Sequence, residues 1–89
     1  MQIKVERHSE GSLKERGVFG WPIWTKETSK FDWSYDSTEE CYFLEGDVAV
    51  ETKDGQKVTF GKGDFVTFPA GLSCTWIVKK PVKKHYNFR

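Results

Sequence analysis

The feature that most constrains how this chain can fold is its punctuation. Short apolar and β-branched runs alternate with turn signals roughly every ten residues. Asp54-Gly55 is the strongest such signal, because both residues tolerate the positive φ of a two-residue hairpin. Gly61-Lys62-Gly63-Asp64 and Gly46-Asp47 read as further turns, and Pro69-Ala70-Gly71 breaks the chain again. Between them lie strand-like segments at 2–7, 23–27, 31–36, 39–45, 48–53, 56–60, 65–68, 74–79 and 82–88, with Pro81 interrupting the last two. Only 9–16 has room for a helical turn, limited by Gly11 and Gly17. Eight or nine strands with almost no helix predict an all-β sandwich or a closed barrel.

Length makes this one domain, residues 1–89. A chain this short buries only about 60% of the surface its unfolded state exposes, too little for two cores. Aromatic residues make up 16% of it, enough for a folded interior rather than disorder. Lys and Arg number 14 and Asp and Glu 13, so the net charge of +1 excludes a generic polyanion binder. An aromatic RNA-binding motif is echoed at 62–68, but Asp64 stands where a ring is needed, so no nucleic-acid partner is expected. No apolar run approaches the roughly 18 residues of a membrane span, and the charged, alternating start resembles no targeting peptide. The expectation is a cytoplasmic protein with Cys41 and Cys74 as thiols. The charge is uneven. Residues 31–52 hold seven acids and no base, and 79–89 hold five bases and no acid. Adjacent strands with attracting exposed faces account for this, as does a basic patch for an anionic partner.

Two stretches carry a resemblance. Gly63-Asp64, Pro69, Gly71 and Cys74 follow the spacing of the second cupin motif, with Cys74 in place of its His and Val78 in place of its Asn. Glu39 through Gly46 fits the end of the first motif, Glu then Gly seven residues on. The chain thus resembles the cupin superfamily, which implies a small RmlC-like jelly-roll β-barrel. Trp21-Pro22-Ile23-Trp24, Phe31-Asp32-Trp33 and Lys84-His85-Tyr86 extend the likeness, toward single-domain cupins similar to the (S)-ureidoglycine aminohydrolase cupin domain.

The resemblance also implies where a metal would sit. The usual cupin ligand positions fall on Trp33, Tyr35, Glu39 and Cys74; a one-residue shift puts Asp32 and Ser34 at the first two. Glu39 is the one conventional ligand, and Cys41, two residues on, is a third candidate beside Glu39 and Cys74. The expectation is a pocket that requires no metal, with a divalent Mn, Fe, Zn or Ni ion as the alternative.

If Trp33, Tyr35, Glu39, Cys41, Cys74 and Trp76 point inward, the lumen is an aromatic cup with one carboxylate and two thiols. Such walls favour a planar or cationic small molecule. Desolvation would favour the neutral form of Glu39, making it an acid–base candidate, and Cys74 a candidate nucleophile. The plain alternatives are core packing for the tryptophans and small buried hydrophobes for the cysteines. His8 falls on the first strand and His85 on the last, where exposure to solvent is the simplest reading. Trp21 to Trp24 reads as a lid or a contact between two copies in a homodimer. The functional expectation is therefore a small-molecule-binding cupin whose pocket holds Glu39 and Cys74, its status as an enzyme open. The alternative is a metal-dependent enzyme acting on a small nitrogenous metabolite.

Overall fold

Two long antiparallel strands carry all but one of the others. A computed structural model describes residues 2–89 of the chain. In chain order the elements are β1 (Lys4–Glu6), α1 (Glu10–Glu15), a 3-10 turn at Val18–Gly20, β2 (Ile23–Lys26), β3 (Ser29–Ser34), β4 (Glu39–Thr52), β5 (Lys57–Gly61), β6 (Phe65–Phe68) and β7 (Ser73–Phe88). β4 and β7 pair along most of their length. On its other edge β4 pairs first with β6 and then with β5. β7 pairs first with β3 and then with β2. β1 adds to β6 at one end.

The result is one antiparallel sheet of seven strands, not the eight or nine expected. Its hydrogen-bonded path runs from β1 to β2 and does not close, so the ladder is not the closed barrel the sequence suggested. The two missing strands are explained by β4 and β7. Gly46-Asp47 was expected to end a strand and Pro81 to interrupt one, yet both lie inside continuous strands. Between Phe43 and Val48 the β4–β7 register slips at three places. Pro81 sits in this gap, between the pairs Asp47↔Lys80 and Glu45↔Lys83, where its missing N–H removes no ladder bond. Gly46 has φ 134°, and a Cβ there would lie 3.0 Å from Val82 Cγ2, so the bulge needs glycine.

The bulge has a packing consequence. Glu39, Cys41 and Phe43 point inward at odd positions, whereas Val48, Val50 and Thr52 do so at even ones. The extra residues flip the parity, so both halves of one strand bury the correct face. β7 buries Cys74, Trp76, Val78, Val82 and Lys84 at even positions, with Lys80 exposed at the bulge and His85 buried on the other face.

The main core comprises Phe43, Val48, Val50, Phe60, Val66, Phe68, Trp76 and Val78 with their neighbours. A second, smaller cluster of Leu13, Val18 and Phe65 lies under α1 and the 3-10 turn. Ser9 caps α1, its hydroxyl accepting from the Ser12 N–H at 3.2 Å. Asp64 holds its turn by accepting from the Gly61 N–H at 2.8 Å and pairing with Arg7 Nε at 2.8 Å. The opposed charge runs do lie on adjacent strands. Glu45 faces Lys83 and Asp47 faces Lys80 in register, and Arg89 Nε sits 3.4 Å from Glu40. No helix among the described residues is long and apolar enough to cross a membrane.

Candidate functional site

The site forms where β2, β3, the start of β4 and both ends of β7 converge. A cavity of about 210 Å³ opens there. Trp76 on β7 lies 2% exposed at its base. Phe31 stacks on Trp76 with ring centroids 5.9 Å apart, and Trp24 meets it edge-on at 6.0 Å. Tyr35 and Tyr86 complete the wall, and Trp33 and Phe88, each about half exposed, form the rim. Trp76 Nε1–H donates to the Tyr35 hydroxyl at 3.1 Å, which fixes both rings. Tyr35 is itself anchored by its backbone: its N–H donates to Leu72 O at 2.9 Å and its carbonyl accepts from Gly71 N–H at 2.7 Å. The Pro69-Ala70-Gly71 turn thus positions a cavity residue.

A charged triangle closes the base. Lys84 Nζ donates to Glu39 Oε2 at 3.1 Å and to Cys41 Sγ at 3.3 Å, and Cys41 Sγ–H donates to the same carboxylate oxygen at 3.2 Å. Both charged side chains are only 5% exposed. The ammonium lies 4.8 Å from the ring centroids of Trp24 and Trp76, with Phe43 and Phe68 somewhat farther. A buried charge is tolerated only when paired and hydrogen-bonded, and this one is paired, bonded and faced by rings. Burial pushes the Cys41 thiol far above its ordinary range, partly opposed by the Lys84 ammonium, so Cys41 stays protonated. Burial, reinforced by the Glu39 carboxylate, likewise keeps the Tyr35 hydroxyl neutral.

Of the six residues singled out from sequence, Trp33, Tyr35, Glu39 and Trp76 line the cavity. Cys41 lies behind Glu39, fully buried and bonded to it. Cys74 does not join them. It packs in the core, makes no hydrogen bond to Glu39, and is absent from the cavity wall. Burial, then the Asp32 carboxylate, raises its thiol to about 11. A Cys74 held as neutral thiol, with no cation beside it, does not meet the requirement for an activated nucleophile.

Lys84 is the residue that sequence reasoning missed. It was counted among the exposed bases of the last segment, but it is 4% exposed. The signal was present: Cys74, Trp76, Val78 and Val82 are buried at even positions of β7, and Lys84 continues that parity beyond Pro81. Glu39 accordingly faces a cation and not rings alone. The histidines also differ from expectation. His85 is buried, its Nδ1 2.9 Å from Trp21 O, and His8 lies beyond β1 with its ring against Phe65. Trp24 forms cavity wall, while its neighbour Ile23 is half exposed.

The donor set does not fit a metal ion. Among the described residues, no three His, Cys, Asp or Glu side chains are grouped to hold one. Glu39 and Cys41 are two donors, and the Lys84 ammonium already occupies the space they share.

The chain is thus a β-rich domain whose single antiparallel sheet carries an aromatic cavity. Residues 13–86 match the EutQ-like cupin domain, and the chain belongs to that family. It is similar, at 55% identity and a TM-score of 0.97, to a DUF861 family protein from Thermotoga maritima, over 99% of this chain and 100% of that one. The EutQ protein of Clostridium difficile shares the fold at 23% identity and a TM-score of 0.67, over 74% of this chain and 52% of its own, so the chain spans about half of EutQ. A cupin superfamily protein from Desulfitobacterium hafniense DCB-2 matches at 14% identity and a TM-score of 0.57, covering 96% of this chain and 74% of that one. No protein of curated function matches the chain.

Proposed function

We propose that this chain is a small-molecule-binding cupin domain whose pocket works without a metal ion. Its strands are read as a jelly roll opened at one side into a cup. The ligand is a planar, partly apolar molecule that enters past Trp33 and Phe88 and lies against Trp24, Phe31 and Trp76. One hydrogen-bonding group of the ligand reaches the Glu39–Lys84 pair. The observation that carries this reading is the combination of apolar aromatic walls with a self-neutralised charge pair at the base. Because Lys84 balances Glu39, the pocket demands no net charge of its ligand. Aromatic faces supply contact area, and the paired groups supply orientation. The two free thiols suit a reducing compartment, so the cytoplasm is the proposed location. The alternative, a metal-dependent hydrolase of the ureidoglycine aminohydrolase kind, is disfavoured by the ammonium already seated on the carboxylate.

The test uses built-in reporters, since three of the four tryptophans line the cavity. Small planar amides, ureides and acids are screened by thermal shift and by tryptophan emission. A ligand at 100-fold its Kd should stabilise the protein by about 2.7 kcal/mol. Trp33→Ala, a rim change that leaves the core intact, should weaken the response. If no compound acts on the wild type, or if Trp33→Ala responds identically, the pocket reading fails.

A further inference from the structure

Resting on that pocket reading, we propose that Lys84 is also a nucleophile, and that the cavity captures an aldehyde or ketone as a protonated Schiff base on Nζ. Three features of the site carry the proposal.

The amine is in the right place. Lys84 is the buried lysine among the described residues, and it lines the cavity together with Glu39. A carbonyl compound in the cavity therefore lies beside Nζ, which the Trp24 and Trp76 rings hold from their own side at 4.8 Å. A proton acceptor is in contact. Glu39 Oε2 is 3.1 Å from Nζ, and Oε1 accepts no hydrogen bond within the protein among the described residues. Finally, the cage suits the product. The Schiff base carries its positive charge where the ammonium carried it, so the carboxylate and rings that hold one cation hold the other. Capture exchanges one cation for another and leaves no new unpaired charge in the core.

The step balances. Lys84 gives a proton to Glu39, and its lone pair attacks the carbonyl carbon as the carbon–oxygen π electrons move to oxygen. Glu39 returns the proton to that oxygen, giving a carbinolamine with a positively charged nitrogen. The nitrogen then releases a proton to Glu39. Its lone pair forms the carbon–nitrogen double bond while the hydroxyl leaves as water with the proton from Glu39. The sum is ammonium plus carbonyl giving iminium plus water, with Glu39 restored. Cys41 does not compete, because its thiol keeps its proton.

Benzaldehyde is the probe, with sodium cyanoborohydride to reduce the iminium to a stable benzylamine. Intact mass and peptide mapping should show a single benzyl group at Lys84, formed roughly 100-fold faster than at exposed lysines, the scale of one positioned proton acceptor. Lys84→Arg keeps a cation beside Glu39 and, with folding checked by thermal melting, should lose this fast labelling. Benzamide has the same shape but does not condense with amines. It should perturb the tryptophan emission and protect Lys84. Benzamide binding with benzylation confined to exposed lysines would overturn the covalent step and leave the pocket reading standing. No response to benzamide together with no labelling at Lys84 would overturn both.

Discussion

Glu39–Lys84 and Arg7–Asp64 are both carboxylate–cation pairs at hydrogen-bond distance, 3.1 Å and 2.8 Å. Their surroundings differ. The first has both side chains 5% exposed, beneath aromatic rings. In the second, Arg7 is 72% exposed and Asp64 15%. The shorter distance does not make the second pair worth more, because water screens it and Arg7 loses rotamer freedom to make it. Asp64 is better understood through its other contact, the Gly61 N–H that it holds in the turn. Glu39–Lys84 cannot be judged by distance either. Its two charges are costly to desolvate, and what matters is that neither is left alone. One pair shapes a turn; the other gives an apolar cavity a polar base at no cost in net charge.

That contrast is most easily broken at Lys84. Lys84→Met strands a buried carboxylate and should lower stability by about 3–5 kcal/mol in denaturant melts. Lys84→Met with Glu39→Leu should recover most of the loss. If the double variant is no better, Lys84 matters for packing and not for charge. Tyr35→Phe should cost about 1–3 kcal/mol, since the buried Trp76 Nε1–H loses its acceptor.

Alkali acts through the two thiols and the buried Tyr35 hydroxyl, all of which the fold keeps protonated. In the unfolded chain Cys74 ionises at its ordinary 9.0, whereas in the fold it keeps its proton to about 11. The folded state therefore binds that proton more tightly. Stability should be full below the unfolded value and fall as pH rises through that window, with Cys41 adding to the fall. Melts at neutral pH and inside the window check the sign, and Cys74→Ala should flatten the slope. The smallest effect belongs to the surface: Arg7→Ala should change stability by no more than about 1 kcal/mol. A larger loss would mean that the Asp64 turn depends on Arg7 and that the two pairs are less different than their exposure implies.

Much of this was legible in the residues. Asp54-Gly55, Gly63-Asp64 and Pro69-x-Gly71 all mark observed turns, alternation put Trp76 on one face with Cys74 and Val78, and the cupin likeness pointed to Glu39. The cupin likeness rested on the spacing of those turns, which is a local property. Gly46 and Pro81 misled for the same local reason. Each breaks a strand when read alone, yet opposite one another they share a single bulge that both long strands cross unbroken. Counting strands across them gave two too many, and stopping the parity at Pro81 left Lys84 on the outside.

Turn residues and binary pattern are written in sequence, because φ preference and the two-residue strand period need only near neighbours. The sequence by itself therefore determined a small β-rich cupin domain with aromatic residues turned inward. Whether Glu39 meets a thiol, a ring or a cation depends on which strand lies beside it. The β4–β7 pairing decides that: it sets Lys84 opposite Phe43, from where the long side chain reaches Glu39 across 45 positions of chain.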